Sequence, residues 1–253
     1  MSALLELNSL VKRFQSFTAV NGISLEVPAG EVLGFLGPNG AGKSTTMKMA
    51  AGFLTPDSGS AHICGVDVAE KPELARQNLG YLPEGAPAYG EMSVSAFLKF
   101  CAKMRDLSGA GARDAIARAV ERTELGGVLE QPIETMSKGF KRRVGLAQAI
   151  LHEPKVLILD EPTDGLDPNQ KHHVRQLIRD MSADRAIVIS THILEEVDAV
   201  CSRAVIIDRG TVVADGTAAD LRKLGPGKGK TSSLEEAFRH VTVPVTTEEK
   251  PHV

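Results

Sequence analysis

The chain has 253 residues, a formal net charge of -3, 42% hydrophobic residues and 24% charged residues. That balance supplies a sizeable core and argues against a dedicated DNA or RNA binder, which needs a strongly basic surface. No run approaches the roughly 18 apolar residues of a membrane span, and Met1-Ser2-Ala3-Leu4-Leu5-Glu6 lacks the basic start and apolar core of a secretion signal.

In chain order, Leu5–Asn8 and Ile23–Val27 alternate as half-buried strands do, with Asn21-Gly22 as a turn signal between them. Glu31–Leu36 is a nearly continuous apolar run that ends in a glycine-rich loop, after which Thr45–Ala51 is helix-compatible. Strand, loop and helix open a βαβ unit. Pro56–Gly59 predicts a turn, followed by short strands near Ala61–Cys64 and Val66–Val68. From about Val94 to Leu151 the spacing becomes helical: Ala96-Phe97, Phe100-Cys101 and Met104 recur, with Ser93 or Ser95 as a cap. Val156–Leu159, Ala186–Ser190 and Ala204–Ile207 are further apolar runs, and Gly210 turns the last of them into Thr211–Val213. Continuous apolar strands separated by helices predict a mostly parallel, buried sheet. Gly225–Lys230 reads as a flexible linker, Ser233–Glu236 as the capping box of a short helix, and Thr242–Val253 as disordered. The three cysteines, Cys64, Cys101 and Cys201, form no C-x-x-C and fit reduced thiols in a cytosolic protein.

Gly37-Pro38-Asn39-Gly40-Ala41-Gly42-Lys43-Ser44 fits G-x-x-x-x-G-K-S/T and is followed by Thr45. Glycines let backbone N–H groups converge on phosphate oxygens, and the following helix presents its positive end to the same anion. Lys43 supplies a mobile charge, and the Ser44 hydroxyl suits Mg²⁺. Gly229-Lys230-Thr231 repeats only the last letters, without the upstream glycine or an apolar strand, and reads as linker. The run Val156–Leu159 ends in Asp160-Glu161. The first acid suits Mg²⁺ association and the second suits polarising the water that attacks a γ-phosphate. Phosphate loop and acidic pair together read as a nucleoside-triphosphate hydrolase.

Several hydrolase families share those two parts, so the surrounding motifs discriminate. Met136-Ser137-Lys138-Gly139-Phe140 opens a helix-like run before the acids, Asp164-Gly165-Leu166-Asp167-Pro168 follows them, and a lone His192 comes just after Ser190-Thr191. With these motifs in this order, residues 4–222 resemble the ATP-binding subunits of ABC transporters, with Walker A at Gly37–Ser44 and Walker B at Val156–Asp160. The resemblance implies an α/β P-loop NTPase fold, with a RecA-like core, an antiparallel β subdomain and an α-helical subdomain inserted at about 85–145. It places the ATPase domain at 1–225 and leaves 226–253 as linker, short helix and tail. It also implies two subunits sandwiching two ATPs with Mg²⁺. Ser137 and Gly139 of one signature, and Asp167 of its D-loop, would serve the nucleotide on the Walker A of the other. By the same resemblance Phe14 stacks on adenine, Glu161 is the catalytic base, and His192 holds the γ-phosphate and attacking water. The family also implies a separate membrane permease toward which Pro87–Gly90 would point and a cytoplasmic peripheral location, while the charge balance leaves no nucleic-acid partner expected. The wording of the signature and D-loop resembles the ABC-2-type exporter and gliding-motility branch.

Two departures stand out. Met136, Lys138 and Phe140 replace three letters of the usual Leu-Ser-Gly-Gly-Gln, with Lys138 bringing positive charge toward the partner's nucleotide. Glu84 stands where the family usually has the Q-loop glutamine, leaving a carboxylate that can reach Mg²⁺ but cannot donate a hydrogen bond when ionised. A non-transport ABC ATPase and an ATP-binding regulatory module are the competing readings. Lys12-Arg13 and Lys141-Arg142-Arg143 read as surface basic clusters, and His172-His173 as a solvated helix face.

Overall fold

The computed structural model describes residues 3–226 and 232–242. The linker glycines beyond Pro226, the Gly229-Lys230-Thr231 triplet and the tail after Thr242 lie outside the described residues.

Strands β1 (Ala3–Phe14) and β2 (Phe17–Pro28) form a long antiparallel hairpin. With β4 (Ser58–Ile63) and β5 (Val66–Asp67) they make a four-stranded antiparallel sheet, ordered β2-β1-β4-β5. The hairpin turns at Gln15-Ser16, between the paired Phe14 and Phe17, and not at the expected Asn21-Gly22. Asn21 instead lies inside β2, where its N–H donates to Gly210 O at 2.8 Å across to the second sheet. A tertiary backbone bond therefore outranks the local turn preference.

The second sheet has six strands: β3 (Val32–Leu36), β6 (Leu79–Leu82), β7 (Val156–Asp160), β8 (Ala186–Thr191), β9 (Arg203–Asp208) and β10 (Thr211–Gly216). They are ordered β10-β9-β3-β8-β7-β6, all parallel except the antiparallel edge strand β10. The apolar runs lack alternation because both faces are covered. Val32, Leu157, Leu159, Ile187 and Ile189 pack against the helical side. Leu33, Phe35, Val156, Ile158 and Val188 pack toward the antiparallel sheet and α1 (Lys43–Ala50).

The helices are α2 (Pro72–Gln77), α3 (Val94–Met104), α4 (Gly109–Arg122), α5 (Lys138–Ile150), α6 (Pro168–Ser182), α7 (Leu194–Val200), α8 (Ala218–Arg222) and α9 (Leu234–Thr242). Ser93 caps α3 by accepting from the Ala96 N–H, while Met104, expected on the apolar stripe, is exposed. The capping box at the start of α9 is present: Ser233 Oγ accepts from Glu236 N at 3.1 Å, and the Glu236 carboxylate accepts from Ser233 N at 2.8 Å. Leu234 joins Leu36, Ile206 and Leu221 in a small core under the β9–β10 edge. No helix of the described residues is long and apolar enough to cross a membrane.

Just past α5, His152 Nε2 donates to Leu79 O at 3.0 Å, which holds the half-buried ring against β6. Burial, and then the nearby Arg105 cation, push its pKa from 6.5 down to about 4. The unfolded chain therefore binds a proton that the folded chain refuses. Stability is complete above pH 6.5 and declines as pH falls toward 4. Between about pH 7.5 and pH 5 this residue should remove about 2 kcal/mol from the unfolding free energy. His152→Gln keeps the donor to Leu79 O and should flatten that slope in urea titrations; an unchanged slope would assign it to other groups.

Candidate nucleotide site

The loop after β3 turns directly into α1. Gly42 sits at φ +104°, and a Cβ there would lie 2.4 Å from Ala19 O, so no side chain fits. Gly42 caps α1 without a side-chain acceptor, and the first helical bond runs from Thr46 N to Gly42 O at 2.9 Å. The N–H groups of Lys43, Ser44 and Thr45 thus have no intrahelical acceptor, which makes this helix start an anion cradle. Lys43 Nζ donates to Gly37 O at 2.6 Å and to Pro38 O at 3.0 Å. Burial lowers its pKa, and the carboxylates of Glu161, Asp160 and Glu84 pull the other way.

The acids come from the ends of neighbouring strands. Asp160 closes β7, is only 3% exposed, and accepts a hydrogen bond from the Ser190 hydroxyl on β8. Glu161 follows at φ +50°, its N–H donating to Ser190 O at 3.0 Å. That left-handed turn aims consecutive carboxylates differently. Glu161 Oε1 lies 2.8 Å from His192 Nδ1, just past the end of β8. With Glu161 ionised, the contact fixes the proton on Nδ1 and leaves Nε2 for another partner.

These parts share one cleft of about 510 Å³ lined by Asn39, Gly40, Gly42–Thr45, Glu84, Asp160 and Glu161, with Phe14, Phe17 and Ala19 at the far end. One end is polar and phosphate-shaped; the other is an aromatic platform. Phe14 is 47% exposed and its cross-strand partner Phe17 is 58% exposed. Exposed aromatics at a cleft mouth suit a planar base. Sequence reasoning singled out Phe14 and missed Phe17. The signal was a Phe-x-x-Phe pair flanking a two-residue turn, which the misplaced turn at Asn21-Gly22 concealed.

Ser137, Gly139 and Asp167 do not reach this cleft. Ser137 caps α5, its Oγ accepting from Phe140 N at 3.3 Å, and Asp167 caps α6, accepting from Gln170 N at 3.0 Å. A Cβ on Gly139 would lie 2.7 Å from Gln170 Oε1, so the signature and D-loop pack against each other through that glycine. Lys138 does not hold its charge free: Nζ lies 2.6 Å from Asp164 Oδ2, and that hydrogen bond draws the Asp164 pKa down.

The basic cluster at 141–143 is a second correction. Arg142 and Arg143 are buried. Arg142 Nη1 donates to Pro83 O at 3.3 Å and Asp160 O at 3.2 Å; Arg143 donates to Glu124 O at 3.2 Å, with its guanidinium 4.2 Å from the Phe140 ring centroid. Carbonyl acceptors and a stacking face make burial possible for a group that is usually solvated. His172 and His173 are exposed on α6, as expected, and His173 Nδ1 lies 2.9 Å from a Glu124 oxygen.

A parallel sheet with a phosphate loop after one strand and a carboxylate at the end of another defines a P-loop nucleoside-triphosphatase. The family model for the ABC transporter domain matches residues 20–164, more than half the chain. The chain is 35% identical over 240 residues to the probable multidrug ABC transporter ATP-binding protein YbhF of Escherichia coli, covering 93% of this chain and 41% of that one. It is 36% identical over 219 residues to the linearmycin resistance ATP-binding protein LnrL of Bacillus subtilis, covering 86% and 70%. A solved ATP-binding subunit of an ABC transporter superposes with a TM-score of 0.86 at 32% identity, covering 94% of this chain and 99% of that one. The chain belongs to the ABC transporter family and matches its ATP-binding subunits. It spans less than half the length of YbhF.

Proposed function

We propose that this chain is the ATP-hydrolysing subunit of an ABC-2-type exporter. It pairs with a second copy, or a related subunit, around two Mg·ATP and drives a separate transmembrane permease from the cytoplasmic face. Residues 1–225 form the ATPase unit and 226–253 its appendage. The carrying observation is the division of the motifs. Phosphate loop and acids line one cleft, with His192 held against Glu161 at its edge, whereas Ser137, Gly139 and Asp167 line no part of it.

The chemistry follows from that division. The amides of Gly40–Thr45 and the Lys43 ammonium hold the triphosphate, and Phe14 takes the base. The residues present fit Mg²⁺: a hydroxyl at Ser44, a buried carboxylate at Asp160 oriented by Ser190, and a third oxygen donor at Glu84. Mg²⁺ there would supply charge neutralisation on the phosphate oxygens. Glu161 accepts the proton of the attacking water, and His192 keeps that carboxylate oriented. One subunit covers the γ-phosphate from one side only. The dipole of α5 and the Ser137 hydroxyl of a second subunit complete the enclosure. ATP then binds the paired state better than the single one, and hydrolysis releases the pair. The names of YbhF and LnrL support export of drug-like molecules.

Ser137→Ala should leave the affinity of the single chain for a fluorescent ATP analogue within about twofold of wild type. It should abolish the ATP-dependent doubling of mass in light scattering. A loss of single-chain affinity with pairing intact would overturn the composite site. Recovery of ribosomes and no multi-span protein from membrane extract would favour a non-transport ATPase.

A further inference from the structure

Arg142 lies in the first turns of α5, and its guanidinium reaches two neighbouring strand ends: Pro83 O after β6 and Asp160 O at the end of β7. The Asp164 carboxylate is 3.9 Å away. An amide could bridge two carbonyls. An arginine adds a permanent charge, at a real desolvation cost. The surroundings supply a reason to bear it. Burial disfavours the Arg142 charge and lowers its pKa, and the Asp164, Glu161, Asp160 and Glu84 carboxylates partly offset that. The last three line the nucleotide cleft, where Lys43 is the only lining cation among the described residues. Three carboxylates against one ammonium is a poor field for a polyanion.

We propose that Arg142 is a positioning residue, coupled to Glu84, that sets the electrostatics of the nucleotide cleft from behind. Its fixed cation ties the Glu84 loop to the end of β7 and offsets the carboxylate that Glu84 adds at the Q-loop position. The inference rests on the ATPase reading above and extends it to a pair of residues. It makes a double-variant prediction that a purely structural arginine would not.

The experiment measures binding of a fluorescent ATP analogue to the full chain in excess EDTA and in Mg²⁺. Arg142→Gln should weaken metal-free binding by about tenfold and Mg²⁺-loaded binding by less, because the cation then masks the carboxylates. Glu84→Gln alone should tighten metal-free binding. The double variant should return to within about twofold of wild type. Arg142→Lys keeps the charge without the fork and should stay near wild type, which separates charge from tether if Arg142→Gln folds poorly. A double variant as weak as Arg142→Gln, or Arg142→Lys as weak as Arg142→Gln, would overturn the coupling. Failure of the wild-type chain to bind the analogue would instead overturn the ATPase reading itself.

Discussion

Glu161→Gln should lower steady-state ATP turnover by about a thousandfold, the range a positioned general base supplies. Nucleotide affinity should stay within a few-fold of wild type. The amide has the same shape and can still meet His192 Nδ1, but it cannot take a proton from water. The cleft therefore fills, pairing proceeds, and the cycle stops before hydrolysis. An ATP-bound species of doubled mass should accumulate on size exclusion. The backbone sharpens the test. Glu161 sits at φ +50°, a region that costs a side-chain-bearing residue roughly 1 kcal/mol. Glu161→Gly should relieve that strain and raise the melting temperature while losing turnover as Glu161→Gln does. Activity and stability would move in opposite directions at one residue. Turnover at the wild-type rate in Glu161→Gln would remove Glu161 from the base role.

The motifs were legible because each is a short contiguous string whose chemistry requires its spelling. Phosphate binding needs Gly42 next to Lys43, and the acids must follow an apolar strand. Three-dimensional complements to those strings were not legible. Ser190 meets Asp160 only because β7 and β8 are parallel neighbours in register. Arg142 looked like part of a surface cluster because its acceptors, Pro83 O and Asp160 O, are backbone atoms that carry no letter in the sequence. The strand β6 has only four residues and too short a period to announce itself. The turn signal at Asn21-Gly22 misled for the opposite reason. Asn21-Gly22 is a strong local signal whose backbone is claimed by Gly210 in the turn between β9 and β10. Parallel order, by contrast, was readable in outline, since four doubly buried strands leave four unalternated apolar runs.

Lys43→Ala should weaken Mg·ATP binding by about 10- to 100-fold, the range of a lost charge-assisted contact. Among the described residues, its ammonium is the one cation that lines the cleft with Glu84, Asp160 and Glu161. Without it no side-chain cation lines the described cleft, and the triphosphate meets those carboxylates with the α1 amides beside it and Arg142 only from behind. The apo protein should respond differently. Burial lowers the Lys43 pKa, so the folded state disfavours this charge when no phosphate is present. Deleting it should leave the melting temperature of the nucleotide-free chain unchanged or raised. The two effects combine in one measurement. Wild type should melt higher with Mg·ATP than without, by the linkage that any native-state ligand provides. Lys43→Ala should start at or above the wild-type apo value and gain little from the nucleotide. A variant that melts lower without ligand would mean that the bonds to Gly37 O and Pro38 O hold the loop together. A variant with an undiminished ATP shift would mean that the loop binds phosphate without its lysine. Either result would require a different account of how this cleft takes charge.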